Sequence, residues 1–83
     1  MFRIKLTPKA KRGLKTISKS HREVVATAIE ELKDSPTIGK PLSRELSGKL
    51  SIRIGLYRVV YQVDFNDKVV LIVNAGHRSK VYN

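Results

Sequence analysis

The sequence predicts an α+β fold: two N-terminal helices packed on one face of a mainly antiparallel sheet, in the order β-α-α-β-β-β. Three observations predict it. Apolar residues recur at helical spacing between residues 10 and 32. They alternate with polar ones at residues 2–7 and again between residues 50 and 65. Short turn signals, Gly55-Leu56 and Asn66-Asp67, separate the later runs.

Each element has its own warrant. In "FRIKLT" (2–7), Phe2, Ile4 and Leu6 share one face of a strand. Thr7-Pro8 marks a helix start, a capping threonine followed by proline at the first helical position. Ala10, Leu14 and Ile17 form the apolar stripe of that helix, and Gly13 weakens it. A second, stronger helix lies in "SHREVVATAIEELKDSP", with Ser20 and Glu23 as a capping box and Val25, Ile29 and Leu32 as its stripe. Val24 and Ala28 flank that stripe, and Asp34-Ser35-Pro36 ends the helix. Residues 35–49 read as a loop, with "LSREL" as a brief turn and leucines 42, 46 and 50 holding it to the core. "LSIRI" (50–54) and "YRVVYQVDF" (57–65) form a hairpin across Gly55-Leu56, a type II′ turn with glycine first. "KVVLIVN" (68–74) is nearly all apolar, as a strand covered on both faces is.

The 83 residues fit one small domain, 1–83, with no repeat, linker or low-complexity segment. Without cysteine, neither disulfides nor thiolate metal sites are available, which suits a reducing cytoplasm. "MFRIKLTPKAKR" has no long apolar run, so neither a signal peptide nor a membrane span is expected there. Seventeen Lys and Arg against seven Asp and Glu leave a net charge of +10. Such an excess attracts a polyanion: nucleic acid, an acidic protein or an acidic membrane surface.

The cations have a pattern. Lys9, Lys11, Arg12 and Lys15 cover the polar side of the first helix, with Lys19 and Arg22 just beyond it. Arg53 and Arg58 flank the hairpin turn and face away from most of the apolar side chains. Arg78 and Tyr82, in the closing "AGHRSKVYN", come from the next segment of the sheet. Guanidinium groups gathered on one surface repel one another unless an anion lies between them. The alternative, that each pairs with a carboxylate, is disfavoured by the small number of acids. An RNA strand can be cut by its own 2′-OH without a metal or cofactor. The reaction needs a base, cations around the phosphate and an acid for the leaving oxygen. Arg, Lys, His77 and Tyr82 supply such groups, whereas paired carboxylates for a metal-dependent nuclease are missing. His77 as a solvated loop residue and Tyr82 as an edge aromatic are the structural alternatives.

"LSIRIGLYRVVYQVDFNDKVVLIVNAGHRSKVY" resembles the core of the RelE/ParE toxin superfamily, most closely its RelE branch. The resemblance rests on the ordered set Arg53, Gly55, Tyr57-Arg58-Val59-Val60-Tyr61, Gly76-His77-Arg78 and Val81-Tyr82, and spans nearly the whole chain. It implies the RelE-like fold and a toxin of a type II toxin–antitoxin pair. RelE-like members are ribosome-dependent endoribonucleases that enter the ribosomal A site, cut the messenger and so inhibit translation. By resemblance, Arg58 contacts the scissile phosphate, Arg78 stabilises its charge, Tyr82 stacks on a base, and Arg53 stands where the family often has a basic residue. Lys9, Lys11, Arg12, Lys15, Lys19, Arg22, Lys49 and Lys80 are expected to contact ribosomal RNA or the messenger. The implied partners are an acidic cognate antitoxin, the ribosome and mRNA, without metal or cofactor, in the cytoplasm. One departure concerns the base. Some RelE members carry two lysines on the strand that here reads Ser51, Ile52, Arg53. Arginine stays protonated and is a poor base, so His77, with an ordinary pKa of about 6.5, is the substitute. Two other readings of the family stay open: a ParE-like inhibitor of DNA gyrase, and an inactive member that binds antitoxin or nucleic acid.

Overall fold

The computed structural model describes residues 1–81. Strand β1 (Arg3–Leu6) alternates exposed Arg3 and Lys5 with half-buried Ile4 and Leu6, the period of a one-sided strand. Thr7 then takes an extended conformation, and its hydroxyl accepts the Ala10 N–H at 3.1 Å, starting helix α1 (Pro8–Lys15). Helix α2 (Lys19–Glu31) follows a tight turn and buries Val25 and Ile29. A two-residue strand β2 (Lys40–Pro41), a 3₁₀ turn (Arg44–Leu46) and strands β3 (Leu50–Ile54), β4 (Tyr57–Asp64) and β5 (Val69–His77) complete the chain.

The five strands form one sheet in the order β1-β5-β4-β3-β2. Only the β1–β5 pair is parallel, because two helices separate β1 from its neighbour in sequence. Both helices pack on one face, and the core between them holds Ala10, Ile17, Val25, Ile29 and Leu32 against Val59, Tyr61, Val70, Ile72 and Ala75. The predicted α+β class and the mainly antiparallel sheet are what the structure has. Gly55 has φ +60° and begins the two-residue β3–β4 turn, as expected for type II′.

Three expectations are corrected. Helix α2 begins at Lys19 with Ser18 as its N-cap, so Ser20 and Glu23 lie inside the helix and form no capping box. Burial of Ile17 fixes the chain just before Ser18, and the Arg22 guanidinium bonds to the carbonyls of Ile17 and Lys15 at 2.9 and 3.1 Å, closing the α1–α2 turn. Residues 35–49 are not all loop: Lys40–Pro41 pairs with β3 as a short edge strand that the expected order β-α-α-β-β-β lacks. The last strand continues to His77 rather than ending at residue 74, and the turn falls at residues 78–80.

The longer strand carries a β-bulge. Tyr61 pairs with Ile72 but Val60 pairs with Asn74, so Val73 has no partner on β4. The bulge keeps the alternation in phase with β4: Ala75 and His77 fall on the helix side, opposite Val59 and Tyr57. Asn74 and Gly76 fall on the other side, opposite Val60 and Arg58. Thr7 holds the bulge. Its backbone N–H donates to Ile72 O at 3.0 Å and its hydroxyl to Val73 O at 3.1 Å. The residue that caps α1 therefore also satisfies the carbonyl that the bulge removes from the ladder.

Candidate nucleic-acid interface

The sheet face away from the helices carries Ser51 and Arg53 on β3, Arg58, Val60 and Gln62 on β4, and Asn74 and Gly76 on β5. Arg53 and Arg58 are direct cross-strand partners, so their Cα atoms lie about 4.5–5.5 Å apart and both side chains leave the same face. Gly76 is the β5 partner of Arg58 and puts no side chain beside it. Arg78 is exposed, and its N–H donates to the Leu56 carbonyl at 2.8 Å, which ties the end of β5 to the hairpin tip. Val81 is 2% exposed, so the chain is anchored just beyond that turn. Tyr82 lies outside the described residues.

His77 belongs elsewhere. Its ring centroid is 6.1 Å from Tyr57, whose ring is in turn 5.3 Å from His21 at the start of α2. The three rings lie on the helix side of the sheet, opposite Arg58. His77 Nδ1 accepts the Ser79 backbone N–H at 3.2 Å and lies 2.8 Å from the Ser79 hydroxyl. Strand alternation thus puts His77, the candidate base, across the sheet from Arg53 and Arg58.

The remaining cations also sort themselves. Lys11, Arg12, Lys15 and Lys19 are exposed on the helices. Arg22 spends its guanidinium on the α1–α2 turn. Lys9, Lys49 and Lys80 instead line one hollow of roughly 360 Å3 on the arginine-bearing face, together with Leu46, Val60, Val73 and Asn74. The loop before β3 borders it, which explains why Val60 and Ser51 are 2% and 7% exposed on the side that no helix covers. A second hollow across this loop is lined by Lys5, Gln62, Asp64 and Asp67, among others. Asp64 and Asp67 therefore mark one end of this face. Residues 1–22, 46–63 and 68–83 contain no Asp or Glu at all. Among the described residues the one salt bridge is Lys33–Glu30 on α2.

The small helix-backed sheet agrees with the relatives of the chain. The family model for the ParE toxin of type II toxin–antitoxin systems matches residues 4–82. The chain belongs to the RelE/ParE superfamily of type II toxins. Toxin RelG of Mycobacterium tuberculosis is 36% identical over 83 residues, covering 98% of this chain and 95% of the relative. The toxin–antitoxin complex RelBE2 of M. tuberculosis contains a chain that superposes with a TM-score of 0.85 at 33% identity, over 93% of this chain and 98% of that one. The isolated Escherichia coli RelE toxin gives 0.80 at 26% identity, over 99% and 92%. No helix among the described residues is long and apolar enough to cross a membrane.

Proposed function

We propose that this toxin is a ribosome-dependent endoribonuclease that cuts mRNA in the ribosomal A site. In this reading the 2′-hydroxyl of the messenger gives up its proton as its oxygen attacks the adjacent phosphorus, and the bond to the 5′-oxygen breaks as that oxygen takes up a proton, leaving a cyclic phosphate and a free 5′-hydroxyl. No metal is required. Arg58 and Arg78 hold the charge that grows on the phosphoryl oxygens, with Arg53 beside them. Tyr82 stacks on a base. Lys11, Arg12, Lys15 and Lys19 face ribosomal RNA. The observation that carries this reading is the cross-strand pair Arg53–Arg58 on the uncovered face of the sheet, with the Arg78 backbone bonded to the tip of the same hairpin. Guanidinium groups so placed suit a bidentate hold on a phosphate. An acidic antitoxin is the partner that would neutralise such a surface, as toxins of similar structure are found in complexes with antitoxins.

The test is a translation reaction in vitro with the purified toxin. New 3′ ends mapped to the A-site codon are expected, and their absence at saturating toxin overturns the proposal. Inhibition of gyrase supercoiling without messenger cleavage would assign the toxin to the ParE type of action instead.

A further inference from the structure

We propose that the hollow lined by Lys9, Lys49 and Lys80 is a second phosphodiester site, which holds the substrate strand beside the arginines. The inference rests on the endoribonuclease reading for the identity of its ligand, and on the structure for its existence. Three elements distant in sequence each send one lysine to the hollow: the first turn of α1, the residue before β3, and the turn after β5. Among the described residues no carboxylate lines it and none of the three lysines joins a salt bridge. Three ammonium groups around one concavity repel each other, and an anion in their midst removes that cost. The floor suits a strand of nucleic acid. Val60 and Val73 are apolar, and Asn74 has an amide whose oxygen accepts the Ala75 N–H at 2.9 Å, leaving its two N–H donors for a ligand oxygen.

Lys9 is the informative member. In the sequence it belongs with Lys11, Arg12 and Lys15 as one polar helix face. In the structure it sits on the flank of α1 that also carries Gly13, which meets Ala75 on β5. At 100° per residue, Lys11 lies about 160° around the helix from Lys9. The approach of α1 to β5 and the Thr7-held bulge bring Lys9 against Val73 and Asn74, out of the set that faces ribosomal RNA. The hollow shares its face with Arg58: Val60 is two residues along β4 from Arg58, and Asn74 is two residues along β5 from its partner Gly76. A phosphate in the hollow and one at the arginines would be neighbours on a single strand.

The experiment uses the full chain and a short oligonucleotide with 2′-deoxy sugars, which binds but cannot be cut. Titration followed by NMR should shift the Asn74 side-chain amide and the Val60 methyl groups. Lys9→Gln should weaken binding, and the slope of log K against log salt should fall by about 0.7, the value for one phosphate contact on a single strand. Lys9→Arg should restore both, and Lys68→Gln, a change of the same charge at an exposed turn given no part in binding, should leave affinity within twofold. Equal weakening by Lys9→Gln and Lys68→Gln, or shifts that bypass Asn74 and Val60, would overturn the site. Cleavage of ribosome-bound messenger by the parent protein is scored separately. A protein that binds the oligonucleotide in the hollow yet cuts no messenger retains the site and loses the endoribonuclease reading.

Discussion

Gly13 shows what a single position decides. By helix propensity alone, alanine there would stabilise α1 by about 1 kcal/mol. A Cβ at this position would overlap the Ala75 carbonyl, however, and backbone cannot move aside as a side chain can. Gly13→Ala is therefore expected to destabilise, by about 1–3 kcal/mol for overpacking, read from urea unfolding. A more stable variant would refute the close approach of α1 to β5. Tyr61 makes a second case. It is fully buried, and its hydroxyl accepts the Gly39 N–H at 2.9 Å. Tyr61→Phe leaves that buried donor unpaired, a cost of about 1–3 kcal/mol. Burial raises the Tyr61 phenol above its ordinary 10.0, and the Gly39 hydrogen bond opposes this more weakly. The unfolded phenol thus ionises first. The stability tied to Tyr61 is complete below pH 10.0 and lost as pH rises through the higher folded value. Unfolding of the parent and of Tyr61→Phe compared from pH 8 upward should show their difference shrinking in alkali; a constant difference would contradict it. Neither role could be read from the sequence. Gly13 looked like a weakness and Tyr61 like one more apolar position, because a close contact depends on which strand the helix crosses.

At the scale of elements, helices and strands were legible wherever the apolar pattern had a period. The run from residue 68 to 74 has none, since valine, leucine and isoleucine fill both faces, so neither its end nor its bulge was visible. That gap mattered for the site. The one-residue insertion at Val73 decides that His77 faces Tyr57 and that Asn74 joins the lysines. Thr7 was recognised as a cap, but its second bond, to Val73 O, spans 66 residues and has no local signature. Thr7→Ala removes both bonds. The loss should exceed the roughly 1 kcal/mol typical of an N-cap alone, and Thr7→Ser should recover most of it. Hydrogen exchange offers the sharper reading: the amides of residues 73–76 should lose protection in Thr7→Ala along with those of the first turn of α1. Loosening confined to α1 would mean that the bulge stands without Thr7.

For the whole molecule, charge and topology act together. The +10 balance already pointed to a polyanion, and the order of elements gave the fold class. The folded sheet adds a polarity along its uncovered face, with Asp64 and Asp67 at one hollow and three lysines at the other. Arg53 and Arg58 lie away from Asp64 and Asp67, at the hairpin end of β3 and β4. Arg78 offers the cleanest test that this half of the molecule is a reaction surface. Its side chain is exposed, and the contact that orders the turn, its N–H to Leu56 O, is made by the backbone. Arg78→Ala should therefore fold as the parent does, within about 0.5 kcal/mol, as a surface change should. If its guanidinium meets charge that develops only in the transition state, the loss falls on the chemical step. The single-turnover rate on ribosome-bound messenger at saturating toxin should drop by about 10²–10³-fold, as when one oxyanion donor is removed. Arg78→Lys keeps the charge without the two-pronged geometry, so its rate should lie between those of the parent and the alanine variant. A parent-like saturating rate in Arg78→Ala, with only the required concentration raised, would make Arg78 a docking residue and shift the chemistry to Arg53, Arg58 and the lysine hollow.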